Sequence, residues 1–272
     1  MDIFKVLQFN MQFAQGWDNA HPDRAPVNLD LTIAEIRGQE ADVVLLQEIE
    51  QARPGGVQPD PPPNYTRLRE ALGGYDSYFS YPKPDPRELP FGIGLAIFSK
   101  TPLRDAWRRN LPSPPIEFAF RGGKRTPTDR LLIGAKTTLG WRELRIVNTH
   151  LLAFFMLKAN GEDHLCPREL VLKELRESPV ATLLGGDFNV STHEPLVRQF
   201  ADASGPCRPT RPHGVGARMF STISFTVRTC VRCETPSSRR TPRIITCSWP
   251  SSNLWTRACC RLPARCVAAK TG

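Results

Sequence analysis

The 272-residue chain carries 36 Lys and Arg against 27 Asp and Glu, a formal net charge of +9, and 40% of it is hydrophobic. That length suits one large layered domain or two small ones, and no stretch is apolar for long enough to cross a membrane as a helix. The opening residues MDIFKVLQFN hold neither a basic leader nor a cleavable apolar segment, so a soluble, cytoplasmic protein is the expectation.

The charge is unevenly spread. From Met219 to Gly272 nine basic residues face the single acid Glu234, which leaves only +1 of the net +9 for the first 218 residues. Six of the eight cysteines fall in the same tail. Without an export signal, and in a chain long enough to build its own core, they do not read as a disulfide scaffold. The composition therefore divides the chain into a main domain, 1–218, and a basic, Cys- and Arg-rich tail, 219–272, expected to be disordered.

Along the main domain, Ile3–Phe9 reads as a strand that delivers Asn10 to the loop behind it. Asp30 is placed to cap a helix carrying Leu31, Ile33 and Ile36 until Gly38 ends it. Asp42–Leu46 is a buried-strand pattern followed by Gln47 and Glu48, which sets a carboxylate at a strand end. Pro54–Asn64 and Pro82–Pro90 are too rich in Pro and Gly for regular structure and read as surface loops. Between them lie a short helix, Tyr65–Leu72, and a strand, Tyr75–Tyr81. Further strands are expected at Ile93–Ser99, Leu131–Leu139, Leu144–Val147 and Ala181–Leu184, with a helix at Pro167–Arg176. The segment 108–129 reads as a loop. Many strands with occasional helices predict a mixed α/β protein with two packed sheets rather than one doubly wound sheet. No glycine-rich dinucleotide turn or P-loop follows any strand, so nucleotide-cofactor chemistry is not supported.

Five polar residues stand at or just beyond the ends of apolar runs: Asn10, Glu48, His150, Asp187 and Asn189. Gathered into one pocket, they are suited to metal-assisted phosphoester cleavage, which needs a hard cation, an oriented water and donors for charge developing on phosphate. Glu48 offers a carboxylate to Mg²⁺, joined by Asn10 directly or through water. Asp187 and Asn189, two apart on a turn, can orient water and donate to phosphate, and His150 can donate to the same phosphate.

The motifs VLQFN, DVVLLQE, GIGLAIFS, VNTHL and GGDFN occur in that order over about residues 3–200, and together they resemble the endonuclease/exonuclease/phosphatase family. These are metal-dependent phosphoesterases that include deoxyribonuclease I and abasic-site endonucleases. The resemblance implies a deoxyribonuclease I-like four-layer sandwich of two β-sheets flanked by helices, Mg²⁺ (with Mn²⁺ as a substitute) held at Glu48 and Asn10, and catalytic roles for His150, Asp187 and Asn189. It implies a phosphoester substrate, whether nucleic acid, phospholipid or a small phosphodiester. Loops 50–64, 82–90 and 108–129 would set that choice, and Phe154 and Phe155 would either stack on a base or pack in the core.

Members of this family finish with an Asp-His-Ile-Phe-like strand and a Ser-Asp-His motif, yet residues 219–272 contain no Asp and no His. The genetic code supplies a reason. Read from the third base of each codon, Phe220–Phe225 is compatible with Leu-Asp-His-Ile-Phe, and Pro242–Thr246 with Ser-Asp-His-His. Both motifs emerge in one frame and in the right order, which points to a frameshift between about Thr210 and Met219, with loss of the C-terminal strands and impaired activity. Two other readings of the tail are a zinc site at Cys230, Cys233, Cys247, Cys259 and Cys260, and a nucleic-acid-binding arm formed by Arg228, Arg232, Arg239, Arg240 and Arg243. The arm would make the chain a non-catalytic nucleic-acid-binding protein.

Overall fold

Two sheets built from near-continuous apolar strands face each other, because strands buried on both sides have no polar face to alternate. A computed structural model describes residues 5–16, 25–87, 92–120, 122–140, 142–189 and 199–200, and the backbone alone of 225–227 and 247–248. The first sheet contains β1 (Val6–Asn10), β2 (Val43–Gln51), β3 (Asp76–Ser80) and β4 (Gly92–Ser99). The second contains β5 (Arg104–Leu111), β8 (Arg130–Leu139), β9 (Arg142–His150) and β10 (Thr182–Asp187). A small hairpin, β6 (Phe118–Phe120) with β7 (Gly123–Arg125), interrupts the segment expected to be a loop.

Two short tail segments join the sheet edges. β11 (Phe225–Val227) pairs antiparallel with β10, and β12 (Cys247–Ser248) pairs parallel with β1. The strand orders are therefore β12-β1-β2-β4-β3 and β11-β10-β9-β8-β5. The remaining tail residues lie outside the described residues, and with them the arginine arm and every cysteine of the zinc reading except Cys247.

Outside the sheets lie α1 (Leu29–Gly38), α2 (Pro63–Ala71) and α3 (Cys166–Arg176). Leu29, Ile33 and Ile36 of α1 and Leu68 of α2 pack on Leu7, Val44, Leu46 and Phe98 of the first sheet. Val171, Leu172 and Leu175 of α3 pack on Leu111, Leu132, Val147 and Leu184 of the second. Between the sheets, Val6, Val43, Leu45, Ile97, Ile133, Ile146 and Leu183 form the central core. The result is the four-layer, deoxyribonuclease I-like sandwich.

The start of α1 differs from expectation. Asn28, not Asp30, is the cap: its Oδ1 accepts from Leu31 N at 3.0 Å, while Asp30 lies in the first turn. Moving the cap two residues earlier lets Leu29 enter the core and leaves Leu31 56% exposed. A carboxylate in the first turn still meets the positive end of the helix dipole, so nothing is lost by the shift. β5 is also an addition. Its run RDAWRRNL hides its pattern because only Leu111 is fully buried there, and the other residues are held by polar contacts at the sheet edge. Glu174 of α3 accepts from Arg145 of β9 and pairs with Arg109 of β5 at 2.6 Å, while the Arg145 guanidinium lies 4.7 Å above the Trp107 ring.

The inner faces of three strands change from apolar to polar toward one end. Val6, Gln8 and Asn10 follow one another on β1, Leu45 and Gln47 on β2, and Ile146, Asn148 and His150 on β9. Gln8, Gln47 and Asn148 are completely buried. Gln8 Nε2 donates to Gln47 Oε1 at 2.9 Å, and Gln47 Nε2 to Asn148 Oδ1 at 2.7 Å. Asn148 Nδ2 crosses the sandwich to Leu46 O and Ala96 O, at 2.9 Å each. Replacing Asn148 by Ala removes both donations, strands the Leu46 and Ala96 carbonyls across the sandwich, and leaves Gln47 Nε2 only its longer bond to Leu45 O at 3.3 Å. Because each buried polar group left unpaired costs about 1–3 kcal/mol, we expect a loss of about 3 kcal/mol in urea denaturation; a loss below about 1 kcal/mol would show that the amides do not hold the sheets together.

Glu50 is buried near the end of β2 and accepts from Tyr65 N, at the start of α2, at 2.9 Å. Burial pushes its carboxyl up to about 7 from an ordinary 4.5, only partly opposed by backbone N–H groups of Tyr65 and Asn64. The folded state thus keeps a proton that the unfolded chain releases above pH 4.5, so stability declines as pH rises from 4.5 to about 7. Glu50→Gln is expected to flatten that decline in denaturation curves taken across this window. An unchanged pH slope would assign it to other groups.

Candidate active site

At the polar end of the inner faces the structure brings all five sequence-derived residues together. Asn10 ends β1, His150 ends β9 and Asp187 ends β10, with His150 and Asp187 directly paired in register. Asn10 is the junction: its Nδ2 donates to Glu48 Oε1 and to Asp187 Oδ2, each at 3.1 Å, so one amide spans both sheets. Its Oδ1 accepts from Gln12 N at 3.1 Å. His150 Nε2 stands 3.7 Å from Glu48 Oε1.

Glu48 does not stand beyond a strand end as the sequence implied. β2 continues to Gln51, and Glu48 sits in an irregularity between Gln47 and Glu50 with a φ of 52°. A bulge of this kind breaks the side-chain alternation and re-aims one residue, here the carboxylate. Gly92, which pairs opposite Gln51, makes the room: a Cβ there would lie 2.4 Å from Glu48 Cβ and 2.6 Å from Oε2. The sequence offered Ile93–Ser99 as a strand and GIGLAIFS as a motif, but not the reason for the motif's first glycine, with which the strand begins.

Asp187 is 7% exposed and held from two directions, since Asn189 N donates to its Oδ1 at 3.0 Å while Asn10 holds Oδ2. Asn189 has a positive φ of 47°, which an Asn tolerates better than most residues, and its Nδ2 donates to Leu151 O at 2.8 Å. Before it, Gly186 has a φ of 150°, and a Cβ there would meet Thr149 O at 2.2 Å. That glycine lets β10 pass close to β9 and brings Asp187 level with His150.

The donor set fits a hard cation, because a carboxylate and an amide oxygen are what Mg²⁺ accepts while keeping several waters. Among the described residues, no group of three or more His, Cys, Asp or Glu side chains is arranged to hold a metal ion. Glu48, with Asn10 beside it, is the pair available. Asn10 turns its amide nitrogen to the carboxylates, so it would reach a cation only through water or after a rotation that releases Gln12 N.

The architecture defines the class, a two-sheet phosphoesterase sandwich of the deoxyribonuclease I type. The model of the Endonuclease/Exonuclease/phosphatase family matches residues 7–262, and the chain belongs to that family, whose members are hydrolases. Among solved structures, it is similar to an endonuclease/exonuclease/phosphatase from Beutenbergia cavernae at 23% identity, covering 74% of this chain and 53% of that one, with a TM-score of 0.50. A second, from Bacteroides vulgatus, is 18% identical over 74% of this chain and 72% of that one, also with a TM-score of 0.50. A third, from Bacteroides thetaiotaomicron, is 17% identical over 75% and 69%, with the same TM-score. The chain thus spans about half the length of the first of these structures. No protein of curated function matches it. Among the described residues no helix is long and apolar enough to cross a membrane.

Gly92→Ala tests the cation reading of Glu48 without touching the carboxylate itself. Groups that orient a metal ligand are worth about 10–100-fold in metal affinity, so Mn²⁺ binding followed by calorimetry is expected to weaken at least tenfold. Unchanged affinity would place the cation elsewhere.

Proposed function

We propose that this chain carries the site of a Mg²⁺-dependent phosphoester hydrolase, with Mn²⁺ able to substitute, and that its own activity is impaired because residues 219–272 are out of frame. The observation that supports the site most directly is the amide of Asn10, 3.1 Å from Glu48 and 3.1 Å from Asp187. A divalent cation held by Glu48, with Asn10 direct or through water, would supply charge neutralisation at a phosphoryl oxygen. Asp187, fixed by Asn10 and by the Asn189 backbone, orients the attacking water. Asn189 uses one amide proton on Leu151 O and keeps the other for phosphate, which His150 also reaches as a donor.

The proton-transfer and metal groups that family members place in their last motifs have no counterpart among residues 219–272, which hold neither Asp nor His. Loss of a general acid–base group costs about 10²–10⁴-fold. The substrate class is a phosphoester, and nucleic acid, phospholipid and small phosphodiesters offer this centre the same group.

Hydrolysis of bis(4-nitrophenyl) phosphate with Mg²⁺ tests the reading, alongside the nucleotide sequence from the Thr210 codon onward. We expect turnover near background by this chain, recovery when the alternative frame is restored, and loss of the recovered activity in Asp187→Ala. Rapid turnover by the present chain, abolished in Asp187→Ala, would refute the impairment. A closed alternative frame, with salt-dependent DNA affinity that disappears on removing residues 219–272, would favour the nucleic-acid-binding arm instead.

A further inference from the structure

The bulge that aims Glu48 needs something to hold it. On β2 the residues Glu48 and Ile49 stand against the single residue Gly94 of β4, because Gln47 pairs with Leu95 and Glu50 with Ile93. β1 pairs with β2 only as far as Asn10 and Gln47, so past that point the described residues give β2 no strand on its other side. A φ of 52° at a glutamate persists only where the surroundings enforce it. Gly92 makes room for the bulge, but room does not fix a backbone. The bond from Asn10 acts on the far end of the Glu48 side chain and leaves its backbone free.

The start of α2 supplies the restraint. Asn64 Nδ2 donates to Ile49 O at 2.8 Å, and Tyr65 N donates to Glu50 Oε1 at 2.9 Å. The two residues directly after Glu48 are thus bonded to successive residues in one turn of helix. Tyr65 N is available because the first N–H groups of a helix have no partner inside it. Asn64 does something different, since its side-chain amide reaches a backbone carbonyl and takes the place of a neighbouring strand. Ile49 and Leu68 of α2 are completely buried in one cluster, which keeps the helix carrying Asn64 against the bulge. Without the Asn64 bond the strand is free to return to regular pairing, and a shift of one residue turns a side chain to the opposite face.

We propose that Asn64 is a positioning residue for the cation site: by holding Ile49 O it fixes the bulge, and through the bulge the direction of the Glu48 carboxylate. The proposal rests on the reading of Glu48 as a cation ligand. Calorimetric titration of the full chain with Mn²⁺ tests it in three variants. Asn64→Leu removes the donor at similar volume. Thr66→Val removes a bond internal to the same turn, from the Thr66 hydroxyl to Pro62 O at 2.8 Å, and leaves the bond to Ile49 in place. Glu48→Gln tests the underlying reading.

Groups that orient a metal ligand are worth about 10–100-fold in metal affinity, so Asn64→Leu is expected to bind Mn²⁺ at least tenfold more weakly, while Thr66→Val binds it as the parent chain does. Should Asn64→Leu fail to fold, Asn64→Ser carries the same expectation, because serine suits a helix start and its short side chain cannot span to Ile49 O. Parent-like affinity in the Asn64 variant, with Glu48→Gln weakened, overturns the role of Asn64 alone. An equal loss in Thr66→Val does the same, by tracing the effect to the stability of α2. If the parent chain binds no Mn²⁺, or Glu48→Gln binds it unchanged, the cation reading of Glu48 fails and the proposal with it.

Discussion

The polar end of this molecule stands on one buried chain of amides, from Gln8 through Gln47 to Asn148, with Asn148 reaching across to the carbonyls of Leu46 and Ala96. Two apolar sheet faces on their own can slide, because hydrophobic burial has no direction. Directional bonds between completely buried groups fix the offset of one sheet against the other. Asn10 and His150 follow two positions on along their strands and Glu48 follows Gln47 directly, so the same bonds that set the sheets also set the distances between these side chains from different sheets.

Above that layer, local irregularity takes over from regular structure. Glu48 with its φ of 52°, Asn189 with 47° and Gly186 with 150° all depart from extended backbone within the same small region. Such conformations persist only where the surroundings over-determine them. Here the amide layer below and the space at Gly92 provide that support. The outer layers are fastened differently, with α3 tied to the second sheet by Glu174 and its two arginines rather than by apolar contact alone.

The interior strands and α3 were legible in the sequence because strands buried on both faces leave long apolar runs, and because Pro167 marks the first turn of α3. The five residues gathered at the polar end were legible as polar residues at or just beyond the ends of apolar runs, although β2 in fact continues past Glu48. β5 was not, since a polar edge strand carries little periodicity when its side chains are satisfied by Glu174, Lys136 and solvent rather than by burial. The bulge at Glu48 was hidden for a related reason: β2 keeps Ile49 and Glu50 buried after it, so the apolar run gives no sign that the strand is interrupted. Nor could one chain read alone reveal that Asn148 bonds across the sandwich to residues about 50 and 100 positions away.

An amide neither gains nor loses a proton over the range in which proteins stay folded. The layer beneath the site therefore titrates silently: its bonds keep the same polarity in acid and in base, whatever happens above them. Glu48, His150 and Asp187 thus stand on a platform whose own spacing no proton alters. A carboxylate–guanidinium pair in the position of Gln47 and Asn148 could have joined the sheets as firmly at neutral pH. It would have made the spacing of the functional groups depend on the acidity of the surroundings.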